Sequence, residues 1–299
     1  MKINWTYKGE EPIKLKTFIK NEGISRHLMA KVRHDNGKVI VNGIENPHFN
    51  QITKGSQVMI VLPPERNRKN ELIPSYVPLD IVYEDHDFLI INKPPHLLSI
   101  PSIPQPYDSL VNRVYGYYKL RGYQGIVPHI VTRLDRDTTG LVLFAKHRYA
   151  HALLTQKTKH PIKKIYYAIL SGDFPQDHLL INEPIGRVPD SLIQRQVIST
   201  GRTSQTELWV KEHLKNCTLC KLQLHTGRTH QIRVHCSYLG YPLVGDTLYG
   251  GKIQMPLQRQ ALHCQHLEFY HPFTKQKMVF EAPLPTDMQS YLTKHQLKS

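Results

Sequence analysis

Three short segments of the 299-residue chain crowd charged and polar side chains between apolar stretches. Val131-Thr-Arg133-Leu-Asp135-Arg136-Asp137-Thr138-Thr139-Gly140 runs directly into an apolar strand pattern over 141–146. Lys163-Lys164-Ile-Tyr166-Tyr167 opens the apolar run 165–170, and Thr226-Gly-Arg228-Thr-His-Gln-Ile-Arg233-Val-His235 opens a helical pattern. Carboxylates, phenols and guanidinium groups do nucleophilic, acid–base and anion-binding work. Taken singly, each segment has an ordinary explanation. The first reads as a solvated loop whose Asp and Thr residues cap backbone groups. The second reads as a strand start with a core tyrosine, and the third as an amphipathic helix with a charged outer face.

Two other spacings invite a metal and are set aside. Cys217-Thr-Leu-Cys220 has the spacing of half a zinc site, but 217–224 reads as a strand, where positions i and i+3 face opposite ways. The four cysteines are expected to be inert, partly buried thiols. His147 and His151 stand one helical turn apart without the Glu that a metalloprotease motif requires, so a solvent-facing pair is expected. No GxG pair, phosphate-binding Walker loop or GxSxG elbow occurs, which removes the dinucleotide, nucleoside-triphosphate and common serine-hydrolase readings.

The elements that must position these groups follow from periodicity. Strands are expected over 80–83, 88–92, 141–146, 165–170, 206–211 and 217–224, the last two joined through Lys215-Asn216 as an antiparallel hairpin. Helices are expected over 108–120, 149–159 and 229–239, the last capped by Gly240. Upstream, Leu15, Phe18, Ile19 and Leu28, Val32 have helical spacing. They lead to a strand at 37–41 ended by Asn42-Gly43, and to a second strand at 57–62. The proline-bracketed, charged stretch 63–74 reads as unable to join a core and serves as a linker. The fold class expected is α+β, a mixed, largely antiparallel sheet with flanking helices, preceded by a small α/β module. The domains expected are a module at 1–62, a linker at 63–77 and a catalytic domain at 78–299.

Charge points to the partner. Thirty-nine Lys and Arg against 24 Asp and Glu give +15, and residues 1–70 hold 13 against 6, or +7 of that total. Such a balance favours a polyanion through steering and counterion release, nucleic acid before an anionic membrane. The longest apolar run, 165–170, is far below the roughly 20 residues of a membrane span, and MKINWTYKGEE lacks the apolar stretch of a signal peptide. A cytoplasmic protein is expected.

In order along 76–285, the motifs resemble the RluA-type pseudouridine synthases. They are Ile91-Asn-Lys93-Pro94-Pro-His-Leu-Leu98; Arg133-Leu-Asp135 with Thr138-Thr139-Gly140 and Ala145-Lys146; Lys164-Ile-Tyr166; Gly227-Arg-Thr-His-Gln-Ile-Arg233; Leu243-Val-Gly245-Asp246; and Tyr249-Gly250. Residues 15–62, with Gly23-Ile-Ser25-Arg26 and Gly37-Lys-Val-Ile-Val-Asn42-Gly43, are similar to an S4-type RNA-binding module.

The resemblance implies an RNA-uridine isomerase acting on structured RNA, ribosomal before transfer RNA. Asp135 would be the essential carboxylate, either as nucleophile or as base for the sugar C2′ proton, with Arg233 its cationic partner and Arg228 a substitute. Tyr166 would lie against the target base, and Arg133 would fill the gap left when that base leaves its stack. Lys164 and Arg228, with Arg26, Lys31 and Arg33 of the module, would contact RNA. The isomerisation is redox-neutral and transfers no phosphate, so no cofactor and no metal are expected. RNA is the partner expected, with no membrane, no protein partner and a monomeric chain. The family usually has His at Thr132 and Ser at Thr139; the first departure could change how the Asp135 loop is held. The competing expectations are a catalytically silent RNA-binding or ribosome-assembly factor, and an unrelated hydrolase using Asp135 and a histidine.

Overall fold

The computed structural model describes residues 1–45, 50–67, 72–156 and 160–296. Strands Lys2–Thr6, Gln57–Val61, Lys38–Val41 and Ile44–Glu45 form a four-stranded antiparallel sheet in that order. Asn42 and Gly43 both take left-handed backbone (φ 51° and 83°), which makes the tight turn between the last two strands. Helices Leu15–Asn21 and Arg26–His34 bury Leu15, Phe18, Ile19, Leu28 and Val32 against Val39, Val58 and Ile60 of this sheet. The second helix is capped by Ser25, whose Oγ accepts from Leu28 N at 3.1 Å.

This amino-terminal core includes a residue from far along the chain. Tyr149, on helix Arg148–Thr155, is 3% exposed within it, meets Trp5 edge to face at 6.2 Å and donates from its hydroxyl to Glu22 O at 2.7 Å. Gln156 Nε2 donates to Gly23 O at 3.0 Å. The 63–74 stretch also joins packed structure, contrary to expectation: Leu72 packs against the larger hydrophobic core, and the Glu65 side chain is largely enclosed against His129. Burial raises the cost of the Glu65 charge. His129 Nε2 at 2.5 Å and the Arg148 N–H at the helix start outweigh that cost and hold its pKa below the usual range. Residues 68–71 of this stretch lie outside the described residues.

The second sheet runs in the order His178–Ile181, Thr206–Leu214, Cys217–Leu224, Lys163–Ser171, Leu262–Tyr270, Thr139–Ala145, Phe88–Lys93, Ile81–Glu84. Lys277–Glu281 pairs with Leu262–Tyr270, and His129–Ile130 with Thr139–Ala145. Every pairing is antiparallel except that of Thr139–Ala145 with Leu262–Tyr270, which is parallel at Thr139↔His263 and Gly140↔Cys264. The class is α+β with a mixed, largely antiparallel sheet, as expected. The expected hairpin turns at Asn216, and Gly240, at φ 85°, follows the helix Gln231–Tyr238.

That helix starts at Gln231 rather than 229 because His230 takes left-handed backbone (φ 57°). The helix expected over 149–159 ends at Thr155; residues 157–159 lie outside the described residues. Among the described residues, no helix is long and apolar enough to cross a membrane.

One close approach fixes the centre of the sheet. A β-carbon on Gly140 would lie 2.2 Å from Cys264 O, and its φ of 111° disfavours any side chain. Gly140→Ala should therefore cost about 2–5 kcal/mol, combining left-handed strain with overpacking. Chemical denaturation would measure it, and an unchanged midpoint would mean the two strands can part freely here.

Candidate active site

The 131–138 loop enters the centre of the sheet and is held at almost every residue. Val131 N donates to Leu143 O at 2.9 Å, and Thr132 Oγ1 accepts from Leu143 N at 3.0 Å. The hydroxyl of Thr132 thus does the holding that its departure from the family pattern had put in question. Leu134 is clamped by Ser99, whose Oγ accepts from its N–H at 3.0 Å and donates to its carbonyl at 2.6 Å. Thr139 donates to His263 Nδ1 at 2.9 Å, since His263 Nε2 faces Ala282 O.

Beneath the loop, the ammonium of Lys93, 1% exposed, donates to Pro94 O, Leu97 O and Arg136 O at 2.8–2.9 Å. Burial pushes its pKa down to about 7, against the opposing pull of Asp137 and Asp135. Arg259 donates to Asp137 O at 3.0 Å while forked onto Asp287.

The loop so fixed presents Asp135 to a cleft of about 1030 Å³. Arg233 Nη1 lies 3.3 Å from Asp135 Oδ2, while its Nε and Nη2 fork onto buried Asp246 at 2.7 and 2.8 Å. Arg233 stands in the first turn of helix Gln231–Tyr238. Gln231 ties that turn down by accepting from Arg228 N and donating to Gln205 O and Thr206 Oγ1. Arg228 instead donates through Nε to Thr203 O at 3.1 Å, so Arg233 and not Arg228 pairs with Asp135.

Tyr166, 4% exposed, lines the same cleft, where a bulge shifts the register between Lys163–Ser171 and Leu262–Tyr270. Burial, with Cys264 and Asp135 nearby, pushes its phenol well above 10, so the hydroxyl keeps its proton. Lys164 Nζ sits 5.9 Å from the Tyr166 ring centre, and its pKa is lowered by burial and by Arg133. Arg133 is exposed at the mouth.

One cleft therefore gathers Asp135, Tyr166, Arg233, Arg133, Lys164 and Arg228. Arg26, Lys31 and Arg33 stand on helix Arg26–His34 and do not line it. Sequence reasoning gave no role to Lys93, His230, Asp246 or Tyr249, although all four lie in the quoted motifs. His230 Nε2 is 3.9 Å from Asp135 Oδ1, and the Arg233 guanidinium lies 4.9 Å from the Tyr249 ring centre.

The metal candidates resolve by donor chemistry. Cys217 packs under the carboxy-terminal helix Thr286–His295, whereas Cys220 belongs to the main core, so the two thiols face apart. The expected solvent-facing His147/His151 pair is wrong. His147 is 5% exposed and caps its own helix by accepting from Ala150 N at Nδ1. Its Nε2 consequently carries the proton and donates to Asp87 Oδ1 at 2.8 Å. That proton stands where an ion would have to bind in the His86–Asp87–His147 cluster.

Residues 87–238, which contain this whole Asp135–Tyr166–Arg233 constellation, match the RNA pseudouridylate synthase family model. The chain is 45% identical over 271 residues to the RNA pseudouridine synthase YjbO of Bacillus subtilis (strain 168), covering 90% of this chain and 95% of that protein. The chain belongs to the RNA pseudouridine synthase family. It is 37% identical over 268 residues to ribosomal large subunit pseudouridine synthase D of Escherichia coli (strain K12), covering 84% and 80% of the two chains. The structure of human RNA pseudouridylate synthase domain containing 1 superposes with a TM-score of 0.53 at 26% identity, over 70% of this chain and 84% of that one. As a pseudouridine synthase the protein is an isomerase whose substrate is RNA: the base N1–C1′ bond is broken and the base rejoined through C5.

Proposed function

We propose that this pseudouridine synthase modifies specific uridines of ribosomal RNA, with Asp135 as the essential carboxylate. The observation that carries this reading is the asymmetric setting of Asp135. Oδ2 is held by Arg233, Oδ1 lies 3.9 Å from His230 Nε2, and the residue lines the same cleft as Tyr166 and Arg133. A carboxylate fixed in this way can act on the sugar or base of a nucleotide brought to it, as nucleophile or as base. The target base leaves its stack at a cost of a few kcal/mol, and Arg133 at the mouth offers a planar cation to stack in its place. Tyr166 supplies the platform for the extruded base. Relatives named for the large ribosomal subunit support ribosomal RNA as the target class.

Residues 1–62 act in this reading as a second, S4-like grip on RNA through Arg26, Lys31 and Arg33, and the chain works as a monomer. Mapping pseudouridines in ribosomal and transfer RNA from cells with and without the protein tests the target class. Sites lost from ribosomal RNA alone are expected, and loss confined to transfer RNA would overturn it.

Tyr166→Phe keeps the ring and removes the hydroxyl. RNA affinity should stay within about twofold, because stacking surface carries the binding. Single-turnover isomerisation should fall by about 10²–10⁴, the worth of a placed proton donor. An unchanged rate would show that the ring alone suffices.

A further inference from the structure

His230, so far without a role, stands 3.9 Å from the Asp135 carboxylate, and its setting is specific. Its backbone is left-handed, a conformation costly for a residue bearing a β-carbon and one that concentrates at functional sites. That turn aims the ring into the cleft beside Asp135. The tautomer follows from Tyr249. Tyr249 Oη accepts from Arg195 N at 3.0 Å, and the other polar atom bonded to it is His230 Nδ1, at 2.8 Å. The phenol proton therefore goes to Nδ1, which leaves the hydrogen of the neutral imidazole on Nε2. Burial lowers the His230 pKa despite the opposing pull of Asp135, which favours that neutral ring.

Nε2 and Asp135 Oδ1 are 3.9 Å apart. This is too long for a direct hydrogen bond, yet one oxygen about 2.8 Å from each would close the gap. It would have to accept from Nε2–H and donate to the carboxylate, which is the pattern of a hydroxyl. In an isomerisation at C1′, the hydroxyl closest to the reacting carbon is the ribose 2′-OH.

We propose that His230 and Asp135 together receive the 2′-hydroxyl of the target nucleotide, making His230 a residue that selects ribose over deoxyribose. Tyr249 is its positioning residue. The inference rests on the uridine-isomerising reading above.

The test uses the full chain and a synthetic large-subunit ribosomal RNA oligonucleotide centred on a uridine that the wild-type protein isomerises. A second oligonucleotide carries 2′-deoxyuridine at that position alone. Wild-type protein should bind the all-ribose oligonucleotide about tenfold more tightly, about 1.4 kcal/mol. His230→Asn tolerates left-handed backbone but is too short to reach, so its preference should fall to about threefold or less. Tyr249→Phe releases the tautomer while keeping the ring, and should lower the preference as well.

Absence of the preference in wild type, or its survival at full size in both variants, overturns the assignment. Turnover of the all-ribose oligonucleotide is measured on the same wild-type preparation. If it forms no pseudouridine, the isomerase reading has failed; if it does and the variants keep the preference, only the His230 assignment has failed.

Discussion

Asp135→Asn is expected to fold normally, bind RNA and form pseudouridine at least about a thousandfold more slowly, because removing an essential nucleophile or base costs several orders of magnitude. Asparagine matches aspartate in shape, and its carbonyl oxygen can still accept from Arg233, which keeps both of its bonds to Asp246. No buried charge is orphaned, so stability should change little. RNA affinity should rise slightly, since a negative charge facing the phosphate backbone is gone. Single-turnover assays with equilibrium binding would check this. Retention of more than about one per cent of the wild-type rate would remove Asp135 from the chemistry.

Arg233→Ala is expected to damage the fold as well as the reaction. The guanidinium joins two carboxylates, and Asp246, 1% exposed, has both its oxygens on Arg233. Deleting one partner of a buried pair leaves an uncompensated charge at a cost of about 3–5 kcal/mol. Arg233→Lys restores the charge but not the fork, so it should recover part of the stability and little of the activity. Thermal and denaturant unfolding beside turnover would separate the two effects. An Ala variant of wild-type stability would show that Asp246 is reached by solvent or by another cation.

The elements most plainly legible in the sequence include those whose burial is nearly uniform. Phe88–Lys93 and Thr139–Ala145 are almost continuously buried and carry apolar runs with sharp ends, whereas Cys217–Leu224 (CTLCKLQL) mixes apolar and polar residues and is buried mainly in its first half. Strand Leu262–Tyr270 is just as central to the sheet, yet His263, Gln265 and His266 interrupt its pattern and a bulge breaks its alternation. The exposed Lys277–Glu281 edge and the mostly polar helix Thr286–His295 carried too little periodicity to be read.

At the site, Asp135, Tyr166 and Arg233 were readable because family motifs mark them. Their supports were not. The Lys93 ammonium reaches carbonyls 43 residues away at Arg136, and Tyr249 meets His230 across 19 residues. Such pairings exist only once the sheet has brought the loops together. The proline-bracketed linker misled for a related reason. A glutamate in a charged stretch reads as solvated until His129 and a helix start are placed beside it.

The isomerisation replaces the hydrogen on uridine C5 with the bond to C1′, so it can be counted directly. Purified protein, incubated with unmodified large-subunit ribosomal RNA transcript carrying tritium at uridine C5, should release tritium to water in proportion to a small fixed number of uridines. The Asp135→Asn protein, which still binds, should release none above background. Tight binding of the transcript by wild-type protein without tritium release, or equal release by both proteins, would contradict the assignment of Asp135 as the group that performs the reaction.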